Sequence, residues 1–245
     1  METAEFLEIL DQEGRSLAAA AEAAGTGAKV PTCPQWQVRD LLRHTGAVHR
    51  WATAFVAEGH PSPRPIGEGP DLDGGDLLTW YRDSHRHLVD TLAAAPADIA
   101  VWTFHPAPSP SPLAFWTRRQ AHETAIHRYD AETARGGSPS PVGIPFAVDG
   151  IDELLRGFHA RAGSRVRTPQ PRTLRVRTTD ADAVWTVRLS TEAPAATPDA
   201  TGREDAELSG PAAELYLALW NRTPVPSVSG DATLAELWRE TSGIG

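Results

Sequence analysis

Two polar side chains four residues apart are the first feature of the sequence that could do chemistry. Glu123 and His127 stand in the segment AHETAIH, residues 121–127. A helix would place this i, i+4 pair on one face, about 40° apart around the axis. A carboxylate and an imidazole so placed can share one divalent metal ion. Alone the pair is a weak signal, because exposed Glu/His pairs also occur without a metal.

A histidine earlier in the chain supplies a third candidate ligand. His44 lies one helical turn from Leu41 and Val48. The spacing of the apolar residues predicts that this face of the helix points toward the core. A lone imidazole is costly in a helical core, and coordination of a metal by facing helices would remove that cost. In this interpretation His44, Glu123 and His127 share one metal and leave a coordination position open, as catalytic zinc sites do. The same donor set also suits ferrous iron.

The same residues also have an interpretation without a metal. His44 would then be a hydrogen-bonded core histidine, and Glu123 would pair with an arginine such as Arg119. Spacing alone weighs the two interpretations about equally. His85 and Arg119 are possible lining residues of the site, although a packed histidine and a surface salt bridge are the simpler expectations. His49 is rotated by about 140° from His44, so we expect it nearer to the surface.

Four amphipathic segments in the first half of the chain must position these side chains. Apolar residues recur there at helical spacing, and glycine or proline ends each segment. The predicted helices span about 2–24, 36–58, 76–95 and 113–134. After residue 145 the apolar period becomes two, which is typical of strands. The predicted elements of that part are strands at 174–178 and 185–189 and helices at 149–161, at 211–221 and after Asp231.

The pattern as a whole predicts an α plus α+β chain of two domains. Residues 1–145 are expected to form a four-helix bundle that carries the metal site, since bundles build such sites from facing helices. Residues 146–245 are expected to form a small α+β domain. The chain has 245 residues, which suits two domains of modest size.

Composition and charge disfavour several classes of protein. A net charge of −9 with no basic run offers no surface for nucleic acid or for an anionic membrane. No apolar stretch reaches the ~18 residues of a membrane helix. Cys33 is the single cysteine, so no internal disulfide can form, and we expect a cytoplasmic protein. P-loop, Rossmann, G-x-S-x-G and C-x-x-C motifs are absent.

The motifs around the candidate ligands resemble one enzyme family. The segments VPTCPQW at 30–36 and VRDLLRH at 38–44 look like the opening of the mycothiol-dependent maleylpyruvate isomerase family. The segments FWTRR at 115–119 and AHETAIHRYD at 121–130 resemble its second block. Residues 148–153 and the strand-rich tail resemble the join to its C-terminal domain. The likeness covers nearly the whole chain, in the expected order.

The resemblance implies a fold and a set of site residues. It implies a DinB-like four-helix metal-binding domain, followed by a small α/β domain related to sterol-carrier folds. The family's metal ligands fall on His44, Glu123 and His127. An arginine late in the second domain is implicated in the activity of the family, and Arg222 is the candidate for it. The family pattern usually has a glycine before this arginine, where the present chain has Asn221.

The activity that the resemblance implies is attack of a thiol on an electrophilic small molecule. A divalent metal, zinc being the first expectation, would help to deprotonate the cosubstrate mycothiol, a sugar thiol. In an isomerase the thiolate adds to a cis double bond, the adduct rotates, and elimination releases the trans acid. Without elimination the same site is a mycothiol S-transferase. The substrate, the metal, the oligomeric state and the residues that bind mycothiol stay open.

Two alternatives do not involve a thiol. A metal-dependent hydrolase or lyase would use bound water at the same three ligands. A metal-sensing or partner-binding module would keep the site without catalysis, although the presence of all three candidate ligands argues against such a loss.

Overall fold

The first compact part of the chain is helical. The computed structural model describes residues 1–104 and 111–243, which separate into two compact units, the first ending at Ser140 and the second beginning at Pro141. The helices of the first unit are α1 (Thr3–Ala24), α2 (Val38–Glu58), α3 (Gly74–Ala94) and α4 (Pro112–Arg135). All four helices were predicted, and their bounds differ from the predicted ones by two residues or fewer.

Local sequence signals account for these bounds. The Ser111 side chain accepts a hydrogen bond from the backbone N–H of Ala114, and Pro112 follows at the first helical position of α4. Gly59 ends α2 in the left-handed conformation, with φ 69°. Asp73 caps α3 by accepting from the backbone N–H of Gly74. The helix that carries Glu123 and His127 is thus fixed at its start by a serine and a proline.

Helix α2 packs against both α3 and α4, and this gives it a wide buried surface. His49 is completely buried there, and its Nε2 lies 2.9 Å from the hydroxyl of Thr124 on α4. The prediction that His49 lies near the surface was therefore wrong. The apolar stripe of α2 marks only part of its buried face, because a hydrogen-bonded imidazole is also accommodated in the contact with α4.

The second unit is a small mixed α/β domain. Helix α5 (Ile144–Glu153) continues into a π-helical turn at Leu154–Phe158. A five-stranded sheet has the order β3-β2-β1-β4-β5, in which β1 and β4 are parallel and the other pairs antiparallel. Its strands are β1 (Arg172–Thr178), β2 (Val184–Leu189), β3 (Ala195–Thr197), β4 (Ala206–Gly210) and β5 (Ser227–Gly230). The remaining helices are α6 (Ala212–Leu219) and α7 (Thr233–Thr241).

Three of these strands and the start of α5 were not predicted. Strands β3, β4 and β5 have three to five residues each and consist largely of Ala, Ser and Gly, so their apolar alternation is weak. The helix predicted at 149–161 begins earlier, at Ile144, with Pro145 in its first turn. β1 and β2 were predicted because large apolar residues such as Val176 and Trp185 alternate there with polar ones.

The predicted order of a helical part followed by a small α/β domain is confirmed. The DinB-like and sterol-carrier-like assignments stay predictions. Within residues 1–104 and 111–243, no helix combines the length and the apolar character required to cross a bilayer.

Gly14 of α1 packs directly against the imidazole of His85 on α3. A Cβ atom at position 14 would overlap the imidazole of His85, whose Nε2 donates a hydrogen bond to the carbonyl of Leu10 at 3.0 Å. We expect Gly14→Ala to lower the free energy of unfolding by about 1–3 kcal/mol, the usual cost of overpacking a core. Urea unfolding measures this change.

Gly75 on α3 provides the matched control, because a Cβ added there meets nothing within 4 Å. Gly75→Ala should leave the stability unchanged or raise it by up to ~1 kcal/mol, since alanine favours the helix. Equal effects of the two substitutions would contradict the close packing of α1 on His85.

Candidate metal centre

Three candidate ligands from two helices converge at one point of the helical unit. One ligand atom from each of His44, Glu123 and His127 lies within 4.8 Å of the other two. Oε1 of Glu123 is 3.2 Å from Nε2 of His44 and 3.2 Å from Nε2 of His127. The i, i+4 spacing aligns the pair on α4, and the packing of α2 on α4 brings His44 to it. The structure thus brings together the three residues expected to share a metal.

The second carboxylate oxygen of Glu123 faces an arginine. Nη2 of Arg119, one turn earlier on α4, lies 3.2 Å from Oε2 of Glu123, and Arg119 is almost completely buried. Burial raises the pKa of Glu123, but hydrogen bonds from His127 and His44 and the charge of Arg119 outweigh it, so that the pKa lies well below its usual range. The carboxylate is therefore ionised, and Arg119 leaves Oε1 directed at the two imidazoles.

His127 is held between two carboxylates. Its Nδ1 lies 2.9 Å from Oδ2 of the fully buried Asp130, and its Nε2 faces Glu123. Burial lowers the pKa of His127, but the hydrogen bonds to Asp130 and Glu123 raise it to about 9. Without a metal, the ring accordingly carries a proton on each nitrogen and bridges the two acids.

The donor set fits a divalent cation. Because the Nδ1 proton of His127 is donated to Asp130, the Nε2 lone pair can point at a metal in place of the bridging proton. Two imidazole nitrogens and one carboxylate oxygen are a common ligand set for zinc and for ferrous iron. A cation would also offset the negative charge that Glu123 and Asp130 place on either side of the ring.

The centre is open on the His44 side. The exposed fraction of the side chain falls from 36% for His44 to 17% for Glu123 and 8% for His127. The indole of Trp36 lies beside both imidazoles, with ring centroids 5.0 Å from His44 and 5.8 Å from His127. A small molecule can therefore approach from the His44 side, next to an apolar wall.

Two residues near the centre were not singled out from the sequence. Asp130 stands three residues after His127, a spacing that places both on the same face of a helix, so this signal was present. Trp36 precedes α2 in the connector between α1 and α2, and no periodic pattern points from that connector to the centre. The contact of Trp36 with both imidazoles follows from tertiary packing.

The remaining predicted site residues have different surroundings. The ring of His85 contacts α1 and lies near Tyr81 and His49, with centroids 6.3 Å and 5.7 Å away. These contacts give it a packing role in the helical unit, and a role as a lining residue stays a prediction.

Arg222 belongs to the second unit, where it lines an open cavity of about 430 Å³. Asn221, which directly precedes Arg222, has a φ of 59°. This is the left-handed conformation that glycine adopts freely and that asparagine tolerates better than most residues. Asparagine is therefore compatible with the backbone turn that precedes Arg222.

The fold and the site define a chain with a helical unit that carries a candidate metal centre and a small α/β unit that carries a candidate arginine. Residues 7–132 match the family model "Mycothiol maleylpyruvate isomerase N-terminal domain", and residues 145–237 match "MDMPI C-terminal domain". The chain belongs to the mycothiol-dependent maleylpyruvate isomerase family.

Two solved structures share the fold. One is a crystal structure of the mycothiol-dependent maleylpyruvate isomerase, with 13% identity and a TM-score of 0.63 over 94% of this chain and 92% of that chain. The other is a histidine-to-alanine mutant of that isomerase, with 12% identity and a TM-score of 0.64 over 91% of this chain and 90% of that chain. No curated protein matches the chain in sequence.

The convergence of the three ligands predicts that His44→Ala removes metal binding. The purified chain is expected to bind one divalent cation, measured by elemental analysis and by competition with a chromophoric chelator. Loss of one of three protein ligands should weaken zinc binding by more than the about 10–100-fold typical of a change outside the ligand set. Because His44 is partly exposed, the variant should remain folded.

His87→Ala is the matched control, since His87 lies on α3 and is exposed. It should bind zinc as the wild type does. Stoichiometric, equally tight zinc in His44→Ala would refute the assignment of His44 as a ligand.

Proposed function

We propose that this chain is a metal- and mycothiol-dependent enzyme that activates a thiol for attack on an electrophilic small molecule. His44, Glu123 and His127 would hold a divalent metal, zinc being the first choice, in a DinB-like bundle of residues 1–145. The observation that carries the proposal is the approach of two imidazoles and one carboxylate within 4.8 Å, in a chain that belongs to this family.

The proposed chemistry begins with the thiol. When bound, the cation would supply positive charge that lowers the pKa of a thiol brought to it, so that a thiolate forms near neutral pH. Glu123 is held by Arg119 at one oxygen and presents the other to the site. His44 lies at the open rim, where a thiol would enter.

The position of the Trp36 indole also supports the entry of a thiol at the open rim beside His44. Its ring lies beside the imidazoles of His44 and His127 and gives the site an apolar wall on that side. An apolar group beside the site would strengthen electrostatic interactions with a bound anion, such as a thiolate. An acidic small molecule or its conjugate would enter a site with only three ligands from the chain, which leaves room for it.

Isomerisation and conjugation share the first step of this proposal. A thiolate adds to the cis double bond of a maleylpyruvate-like acid to give an enolate adduct, the resulting single bond rotates, and elimination expels the thiolate and releases the trans acid. If the adduct takes up a proton on carbon instead, the product is a mycothiol thioether and the chain is an S-transferase. The isomerase is the first proposal because the family is that of a maleylpyruvate isomerase.

Thiol dependence tests the proposed class of enzyme. The zinc-loaded protein should consume maleylpyruvate or another electrophile only when mycothiol is present, and Glu123→Gln should lose this turnover together with zinc. Product analysis by chromatography distinguishes the trans acid from a thioether. Equal turnover without mycothiol would refute the thiol and favour a hydrolase or lyase, whereas bound metal without any turnover across a broad panel would favour a sensing module.

Arg222 is proposed as a catalytic residue of the second unit. Its Nη1 donates to the carbonyl of Trp220 at 2.8 Å, and its guanidinium lines the cavity, where it could bind a carboxylate. Losing one charge-assisted hydrogen bond to a substrate corresponds to a loss of about 10–100-fold in affinity or in kcat/KM. We therefore expect Arg222→Ala to lower kcat/KM by that factor while zinc affinity stays unchanged.

Arg188→Ala makes the same change of charge at an exposed position on β2 and serves as the control. Steady-state kinetics of both variants should show a loss for Arg222→Ala alone. Parallel losses in the two variants would indicate a general effect of charge and remove Arg222 from the proposed site.

A further inference from the structure

Asp130 is a buried carboxylate that contacts the centre without belonging to the proposed ligand set. Its side chain is completely buried. Oδ2 lies 2.9 Å from Nδ1 of His127 and 3.7 Å from Sγ of Cys33, and Oδ1 accepts a hydrogen bond from the hydroxyl of Thr32 at 2.6 Å. A carboxylate excluded from water requires such donors, and their number indicates that its position is closely fixed.

We propose that Asp130 is the positioning residue of the metal centre. It holds the imidazole of His127 in one tautomer and one orientation, with Nε2 toward Glu123, and it anchors the connector that carries Trp36 to the same point. The inference rests on the metal site proposed above.

The tautomer of His127 is the first part of the argument. An imidazole has two nitrogens that can each bind a metal, and a hydrogen bond at one of them decides which is used. With Nδ1–H donated to Asp130, the ring presents only Nε2, the atom that lies 3.2 Å from Glu123. A carboxylate in this place also increases the basicity of the coordinating nitrogen. Without Asp130, the ring could rotate or exchange tautomers and lose its alignment with His44.

The connector between α1 and α2 is the second part of the argument. Thr32 and Cys33 contact Asp130, and the connector then turns back, with the backbone N–H of Trp36 donating to the carbonyl of Cys33 at 2.8 Å. The indole of Trp36, at the end of this turn, lies beside the imidazoles of His44 and His127. The carboxylate of Asp130 thus fixes both the candidate ligand His127 and the connector that places Trp36 beside the site.

Metal affinity separates a positioning role from a purely structural one. Zinc affinity of the whole chain is measured by competition with a chromophoric chelator, and thermal unfolding of the metal-free proteins is measured in parallel. We expect Asp130→Ala to weaken zinc binding toward the upper end of the about 10–100-fold range for such partners. Asp130→Asn should weaken zinc binding by a factor near the lower end of this range, because the amide oxygen of asparagine can still accept a hydrogen bond from Nδ1–H of His127. Thr32→Val should have a smaller effect, since it leaves the contact with His127 intact.

Glu132→Gln is the matched control. Glu132 is a buried carboxylate on the same helix, but it is bonded to Arg128 and Ser140 and not to a proposed ligand. This substitution should lower the melting temperature and leave zinc affinity within about twofold of the wild type. The visible absorption bands of the cobalt-substituted protein give a second readout: they should shift in Asp130→Asn and stay unchanged in Glu132→Gln.

The outcomes are distinct. Folded Asp130 variants that bind zinc within about threefold of the wild type, with unshifted cobalt bands, would overturn the positioning role and leave the metal site in place. A wild type that binds no metal would overturn the metal site and this inference together. If Asp130→Ala fails to fold, the graded effects of Asp130→Asn and Thr32→Val against Glu132→Gln decide the question.

Discussion

Charged side chains buried along α4 require partners, and much of the helical unit is arranged to supply them. An ionised group without a partner is very costly away from water. Arg128 is buried and bonds Glu13 of α1 at 2.6 Å and Glu132 at 2.8 Å, which joins α4 to α1. On the same helix, Glu123 and Asp130 contact groups from α2 and from the connector. The same requirement therefore builds both the scaffold and the candidate site.

The two sets of charges on α4 differ in a way that separates structure from chemistry. Around Arg128 one cation meets two carboxylates, and Glu132 also accepts hydrogen bonds from the backbone N–H and the hydroxyl of Ser140. That set is closed by permanent donors. Around Glu123 the neighbouring groups are Arg119 and the two imidazoles of His44 and His127. This second set has the arrangement of a candidate metal centre, and its His44 side is its most exposed part.

The spacing of residues along the helices predicted which side chains meet at the candidate site better than it predicted which side chains are buried. The i, i+4 spacing of Glu123 and His127 was sufficient, since it holds in any regular helix. The phase of α2 placed His44 on the side of Glu123, which lies 3.2 Å from it. It misplaced His49, because burial of a polar residue depends on a partner such as Thr124 that lies 75 residues away in sequence. The prediction of strands such as β4 and β5 has the same limitation. Their pairing with neighbouring strands, rather than their own composition, makes them strands.

Asn221 illustrates why a departure from a family pattern has to be judged by conformation. A glycine before the candidate arginine suggests a position with positive φ, and many side chains would be strained there. Asparagine adopts the left-handed region more readily than most residues, and it does so here at φ 59°. Its amide also donates to the carbonyl of Arg239 and to the hydroxyl of Ser242, which ties the turn to the end of α7. The turn before Arg222 thus has side-chain hydrogen bonds that glycine could not provide.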